Sequence, residues 1–231
     1  MHLGIITRKN DMLSQNTFKF LRDLKKNNNR DWFSVNKNRY EEAKKEFDDF
    51  VNSVIQQMGK FDKAVRNLEA KDCVFRIYRD VRFSKDKSPY KTHFGAHIVA
   101  GGKKMKMSRA GYYIHISPAE SFLGGGAYAP PAEWINAIRK EIHYNVKQLK
   151  RVIQGKDFKK YFGEIEGEKL SRPPHGYEKD HLEIELLKHK NFLATHSLTE
   201  KHVLSKNFIS HTTRVFKALK PFDTFLNQSL D

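Results

Sequence analysis

The hydrophobic period of this chain changes in its middle, and that change limits the folds open to it. In DCVFRIYR, Cys73, Phe75 and Ile77 alternate with Val74, Arg76 and Tyr78. In THFGAHIVA, Phe94, Ala96 and Ile98 alternate with His93, Gly95 and His97. In GYYIHIS, Tyr112, Ile114 and Ile116 alternate with Tyr113, His115 and Ser117. Successive side chains of a strand point to opposite faces, so a period of two predicts strands with one apolar face. Gly101, Gly102 and the basic KKMKMSR segment separate the second and third runs, which predicts a long antiparallel hairpin. ESFLGGG is a candidate fourth strand and NFLATHSL a candidate edge strand.

On either side the period becomes helical. Asn16 or Thr17 is placed to cap a short helix, TFKFLRDLKKN, ending at the turn of Asn27, Asn28 and Asn29. In the following run, Tyr40, Ala43, Phe47, Phe50, Val51, Val54, Ile55 and Met58 form one stripe, with Gly59 as a stop. After the strands, Pro130 and Pro131 suit a helix start, and Trp134, Ile135, Ile138 and Ile142 form a second stripe. Shorter helical pieces follow at VKQLKRVI, DFKKYF and EIELLKH. A last helix from about residue 206 to 219 is expected to be interrupted by Pro221. Helices set around a central run of strands predict an α+β fold: a mainly antiparallel sheet packed by helices from the N- and C-terminal parts. The expected organisation is a single domain over residues 14–231, with a loose tail over 1–13.

The alternation also sorts the polar residues. If the apolar sides of the strands pack on helices, the other side carries Arg76, Tyr78, His93, His97, Tyr113, His115 and Ser117. Arginine forks onto phosphate or carboxylate, and His and Tyr stack, hydrogen-bond and move protons. The alternative is a second core layer beneath another helix. The first two runs are joined through FRIYRDVRFSKDKSPYKTH, in which Arg76, Arg79, Arg82, Lys85, Lys87 and Lys91 are opposed only by Asp80 and Asp86. Such a loop can gather several donors around one anionic group. The expected ligand-binding set is therefore these six cations with Tyr90, His97 and Tyr113. Gly124, Gly125 and Gly126 join it as a pocket wall that allows close backbone approach. His93, His115 and Asp80 are the candidate acids and bases. SRPPHGY, with Arg172, His175 and Tyr177, is a third candidate, read equally well as a surface turn.

Composition narrows the function classes. The one cysteine, Cys73, excludes a disulfide framework and a cysteine-rich zinc site, and reads as a buried small hydrophobe. His93 and His97 share a face but stand about 13 Å apart by strand rise, too far for one ion. With no HExxH or carboxylate run, neither a metal nor a cofactor is expected. No apolar run reaches the roughly 18 residues of a membrane span, and the N-terminus lacks a signal core, so the expected address is cytoplasmic. A net charge of +16 favours anionic partners.

Four stretches taken together resemble domain-of-unknown-function family 2461, conserved hypothetical proteins of bacteria and fungi. They are RDVRFSKDKSPYKTHFGA, GYYIHISPAESFLGGGAYAPP, LSRPPHGY and NNNRDWFSVNKNRYE. The resemblance runs from about residue 18 to 226 and implies one domain with the same focal segments. It implies no activity, substrate or catalytic residue. The residues themselves suggest three functions, in this order: a site, catalytic or not, for a phosphorylated or carboxylated small molecule; nucleic-acid binding; and a non-enzymatic protein-interaction module.

Overall fold

The computed structural model describes residues 12–105 and 107–230. Most of the expected tail lies outside the described residues, and its last residue, Leu13, is buried in the core. Helix α1 (Gln15–Lys26) is capped by Ser14, two residues before Asn16 and three before Thr17, the positions expected. Ser14 accepts from the Asn16 amide at 3.2 Å, and its own N–H and hydroxyl donate to Glu46. Thr17 lies inside the helix and donates to the same carboxylate. The next helical run divides at Asn36 into α2 (Arg30–Val35) and α3 (Lys37–Met58). The α3 stripe faces inward, with Phe47, Phe50, Val51, Val54 and Met58 fully buried.

The first alternating run is not a regular strand. Residues Ala70–Cys73 form a short helix, α4. The chain beyond makes only isolated bridges, Val74 with Ala96 and Tyr78 with Tyr90. A period of two reports extended backbone, and after the Phe75 amide donates to Gly95 this segment bends away from its neighbour. It then doubles back on itself, with Arg79 donating to Pro89 and Lys91 to Ile77. Ile77 and Tyr90 still reach the core.

The remaining runs form a four-stranded antiparallel sheet in the order β1 (Phe94–Ile98), β2 (Gly111–Ile116), β3 (Ser121–Ala127) and β4 (Phe192–Leu198). After β3 come α5 (Ala132–Ile153), which carries a break at Asn145, α6 (Lys156–Phe162) and α7 (Ile184–Leu187). After β4 come α8 (Glu200–Val203) and α9 (Phe208–Gln228). Helix α9 passes through Pro221 without ending there. Pro221 and Lys217, whose carbonyl loses its helical donor, both lie on the exposed side of the helix, where water can replace the bond.

Helices α3, α6 and α9 pack on one face of the sheet, and α5 packs on α9. Phe50 stacks on Phe208 at 4.7 Å, and Phe192, Phe216, Phe222 and Phe225 are inaccessible to solvent. Burying each such ring contributes roughly 1.5–3 kcal/mol. Among the described residues, no helix is long and apolar enough to cross a membrane.

Candidate functional site

The register shows how the two sheet faces differ. Ile98, Tyr112, Gly125 and Ala194 lie side by side across the strands and face the helices, as do Ala96, Ile114, Leu123 and His196. On the other face run His97, Tyr113, Gly124 and Thr195, and beside them Gly95, His115, Phe122 and Ser197. A third row on that face is Gly111, Gly126 and Leu193. Gly124 leaves a gap between Tyr113 and Thr195, where an added Cβ would come within 2.8 Å of the Ala194 carbonyl and 3.3 Å of Thr195 Cγ2. The result is a hollow of about 410 Å³, walled by Phe75, Tyr113, Phe122 and Tyr128. Among the described residues, only strands and loops line it.

Residues 124–126 therefore form the floor of the hollow, as strand and not as a loop before a helix. Gly125 also serves the opposite face, because its missing Cβ makes room for Leu219 of α9, which a Cβ would approach to 2.6 Å. Gly126 has φ +108°, a conformation that side chains rarely adopt.

Aromatic rings continue from the hollow toward the basic loop. Phe122 stacks on His115 at 4.8 Å, and His115 on His93 at 4.2 Å. The Tyr113 hydroxyl lies 3.3 Å from His115 Nδ1. Burial, reinforced by His115 and Lys91, pushes the His93 pKa down to about 4. Burial lowers His115 as well and pushes Tyr113 up to about 12. At neutral pH the row is uncharged, so it offers ring faces and neutral hydrogen-bonding atoms. His97 pairs with Tyr113 in register, while His115 stands opposite Gly95. Among the described residues, no group of three His, Cys, Asp or Glu could hold a metal ion.

The basic loop is braced from within. Arg79 pairs with Asp86 and also donates to the Ser88 carbonyl at 3.1 Å. Arg82 forks onto both oxygens of Asp80 at 2.9 and 2.7 Å. Lys87 donates to the Val81 carbonyl and Lys91 to the Arg76 carbonyl. The six cations thus do not converge on one point, and Arg76, Arg82, Lys85 and Lys87 are exposed. Asp80, a candidate base, faces solvent, and its hydrogen bonds from Arg82 hold its pKa down to about 2. A carboxylate held that firmly ionised is a weak base, and Asp80 borders neither hollow.

A second hollow of about 390 Å³ does form at the base of the loop, between Lys25, Asn28, Arg79, Lys91 and His93, with one carboxylate, Asp86, paired to Arg79 in its wall. Asn28 clamps the loop by bonding both the N–H and the carbonyl of Tyr90, at 3.1 and 2.9 Å. Tyr90 itself is buried, stacked on Phe33 at 4.0 Å. The Lys91 ammonium lies 5.4 Å from the centre of the Phe75 ring, so the cationic hollow adjoins the aromatic one. Arg172, His175 and Tyr177 line neither.

Several site residues are not marked by the sequence. Lys25 comes from the end of α1 and Asn28 from the turn after it, and Met107, Tyr128 and Thr195 come from segments distant in sequence. Thr195 and Leu193 carried the one available signal, the alternation of β4. Neither the curated proteins nor the solved structures contain a match to this chain. The family model described as conserved hypothetical protein (DUF2461) matches residues 16–225, and the chain belongs to that family.

Proposed function

We propose that the open sheet face binds a phosphorylated or carboxylated small molecule that carries a planar ring. The supporting observation is the adjacency of the two hollows, one aromatic and one cationic, joined by the stack of His93, His115 and Phe122. A ring seated over Gly124 would lie against Tyr113 and Phe75, and its anion would point along the stack to Lys91 and Arg79. The volume suits one ligand of metabolite size. The neutral His93 offers a ring nitrogen to hydrogen-bond such a ligand, but with its pKa pushed down to about 4 it is a poor base near neutral pH, so binding is the role the residues support.

The test is thermal stabilisation by adenosine monophosphate, with adenosine and ribose 5-phosphate as half-ligands. Stabilisation should be largest for the whole nucleotide. It should disappear in Gly124→Leu, which fills the hollow, and in Tyr113→Ala, and weaken in Lys91→Ala. Equal stabilisation of wild type and all three variants would overturn the assignment, as would no response to any of the three compounds.

A further inference from the structure

We infer that the basic loop extends this site into an interface for single-stranded nucleic acid, with Phe83 as a stacking platform. The inference rests on the reading that the sheet-face hollow accepts a planar ring, and adds the polymer to which that ring belongs. Phe83 is 95% exposed at the outer end of the loop. This is not the exposure of a slack segment, because Arg79, Arg82, Asp86 and Lys87 all bond back into the loop that carries it. The ring adds nothing to the core; Arg82 lies over one of its faces, and the other is the face on which a partner can stack. The Arg82 guanidinium stands 5.8 Å from its centre, and Tyr78, half exposed, lies on the same loop.

Charge selects the partner. The segment from Arg76 to Lys91 has six cations against two carboxylates, on a chain of net charge +16. A polyanion fits this surface, and an acidic or neutral protein surface with no rings does not use Phe83. Phe83 borders neither hollow, so a single metabolite in the hollows would leave it unused. The structure thus offers ring-stacking positions at the hollow and on the loop, and the same loop carries the exposed Arg76, Lys85 and Lys87 and the rim residue Lys91. Alternating ring and anion is the repeat of a nucleic-acid strand. Unpaired bases have free faces for stacking, whereas a duplex buries them.

The experiment uses the full chain and fluorescence anisotropy with labelled single-stranded DNA and RNA oligonucleotides, the matching duplex, and phosphatidylserine vesicles as a second anionic surface. Single strands should bind, more weakly as salt rises, and more tightly than the duplex. Phe83→Ala, exposed and therefore compatible with folding, should weaken strand binding roughly 5- to 150-fold, the range for losing one base–aromatic stack. It should leave stabilisation by adenosine monophosphate unchanged. Strand binding equal in Phe83→Ala and wild type overturns the inference. So does a preference for duplex, or a Phe83-dependent binding seen with vesicles and not with strands. If the mononucleotide stabilises but no strand binds, the inference falls and the small-molecule reading stands. If strands bind through Phe83 while Gly124→Leu has no effect on any ligand, the loop platform stands and the hollow reading falls.

Discussion

Asp223 is the most unusual residue of the helix-facing side. It lies on α9 and is 4% exposed; among the described residues neither carboxyl oxygen has a well-formed hydrogen bond, and the Gly126 N–H offsets its burial only in part. Burial, with Asp62 nearby, holds its pKa well above the ordinary carboxylate range. The folded chain therefore keeps this proton to a higher pH than the unfolded chain does. Between the two pKa values the folded state binds more protons, so stability falls as pH rises. Asp223→Asn removes the titration without changing the shape. The variant should melt at a higher temperature than wild type at pH 8, by a margin that shrinks toward pH 4. Melting curves across that range check this, and an equal loss of stability at every pH would refute it. Tyr112, whose hydroxyl donates to Asp62 at 2.7 Å, is likewise pushed upward by burial, so this side of the sheet is electrostatically poor in compensation.

At the scale of the element, β3 shows why one strand carries three successive glycines. A side chain at 124 would crowd the Ala194 carbonyl as it entered the open face, one at 126 would run into the Phe192 carbonyl, and one at 125 would meet the Gly111 carbonyl and Leu219 of α9. Opening the hollow and seating the helix thus use alternate residues of the same strand. Gly125→Val should destabilise the fold by about 1–3 kcal/mol through overpacking against the Gly111 carbonyl of β2 and Leu219 of α9. A urea denaturation midpoint lowered without a change in slope would show it. If the midpoint were unchanged, the α9 contact would not need that glycine. Helix α9 is also tied to β4 through a pair of histidines. His196 Nδ1–H donates to the Tyr161 carbonyl at 2.9 Å, which leaves its Nε2 to accept from His211 Nε2 at 3.0 Å.

At the scale of the molecule, these groups set opposing pH dependences. His93 and His211 are both pushed down to about 4, mainly by burial, with His196, Arg214, His202 and Lys160 adding to the effect on His211. Unfolded, each would titrate near 6.5. Below that pH the unfolded chain binds protons that the folded chain refuses, so stability falls as pH drops from about 6.5 to 4. The acid limb and the Asp223 limb together should place maximum stability at mildly acidic to neutral pH. His211→Gln should flatten the fall between pH 6.5 and 4 in melting experiments, and an acid limb as steep as that of wild type would exclude His211 as a contributor. Helices cover one sheet face, and the chain's basic loop stands at the edge of the other.

Much of this is legible in the sequence. Side-chain direction along a strand depends only on local backbone, so the alternation in THFGAHIVA and GYYIHIS sorts His97, Tyr113 and His115 from Ala96, Ile114 and Ile116 before any partner is known. The helical stripes, and the cations of the loop, are visible for the same reason. The family is readable from its long motifs. What tertiary structure alone decides is what those residues meet. Extended backbone looks alike whether or not a neighbour completes its ladder, so the loss of a strand at residues 73–78 has no local signature. Nor does local sequence say that Asp80 is taken by Arg82, that the six cations splay apart, or that Lys25, Tyr128 and Thr195 arrive at the site. Those are contacts between distant residues, fixed by how α1, the sheet and the loops pack, and packing depends on the whole chain at once.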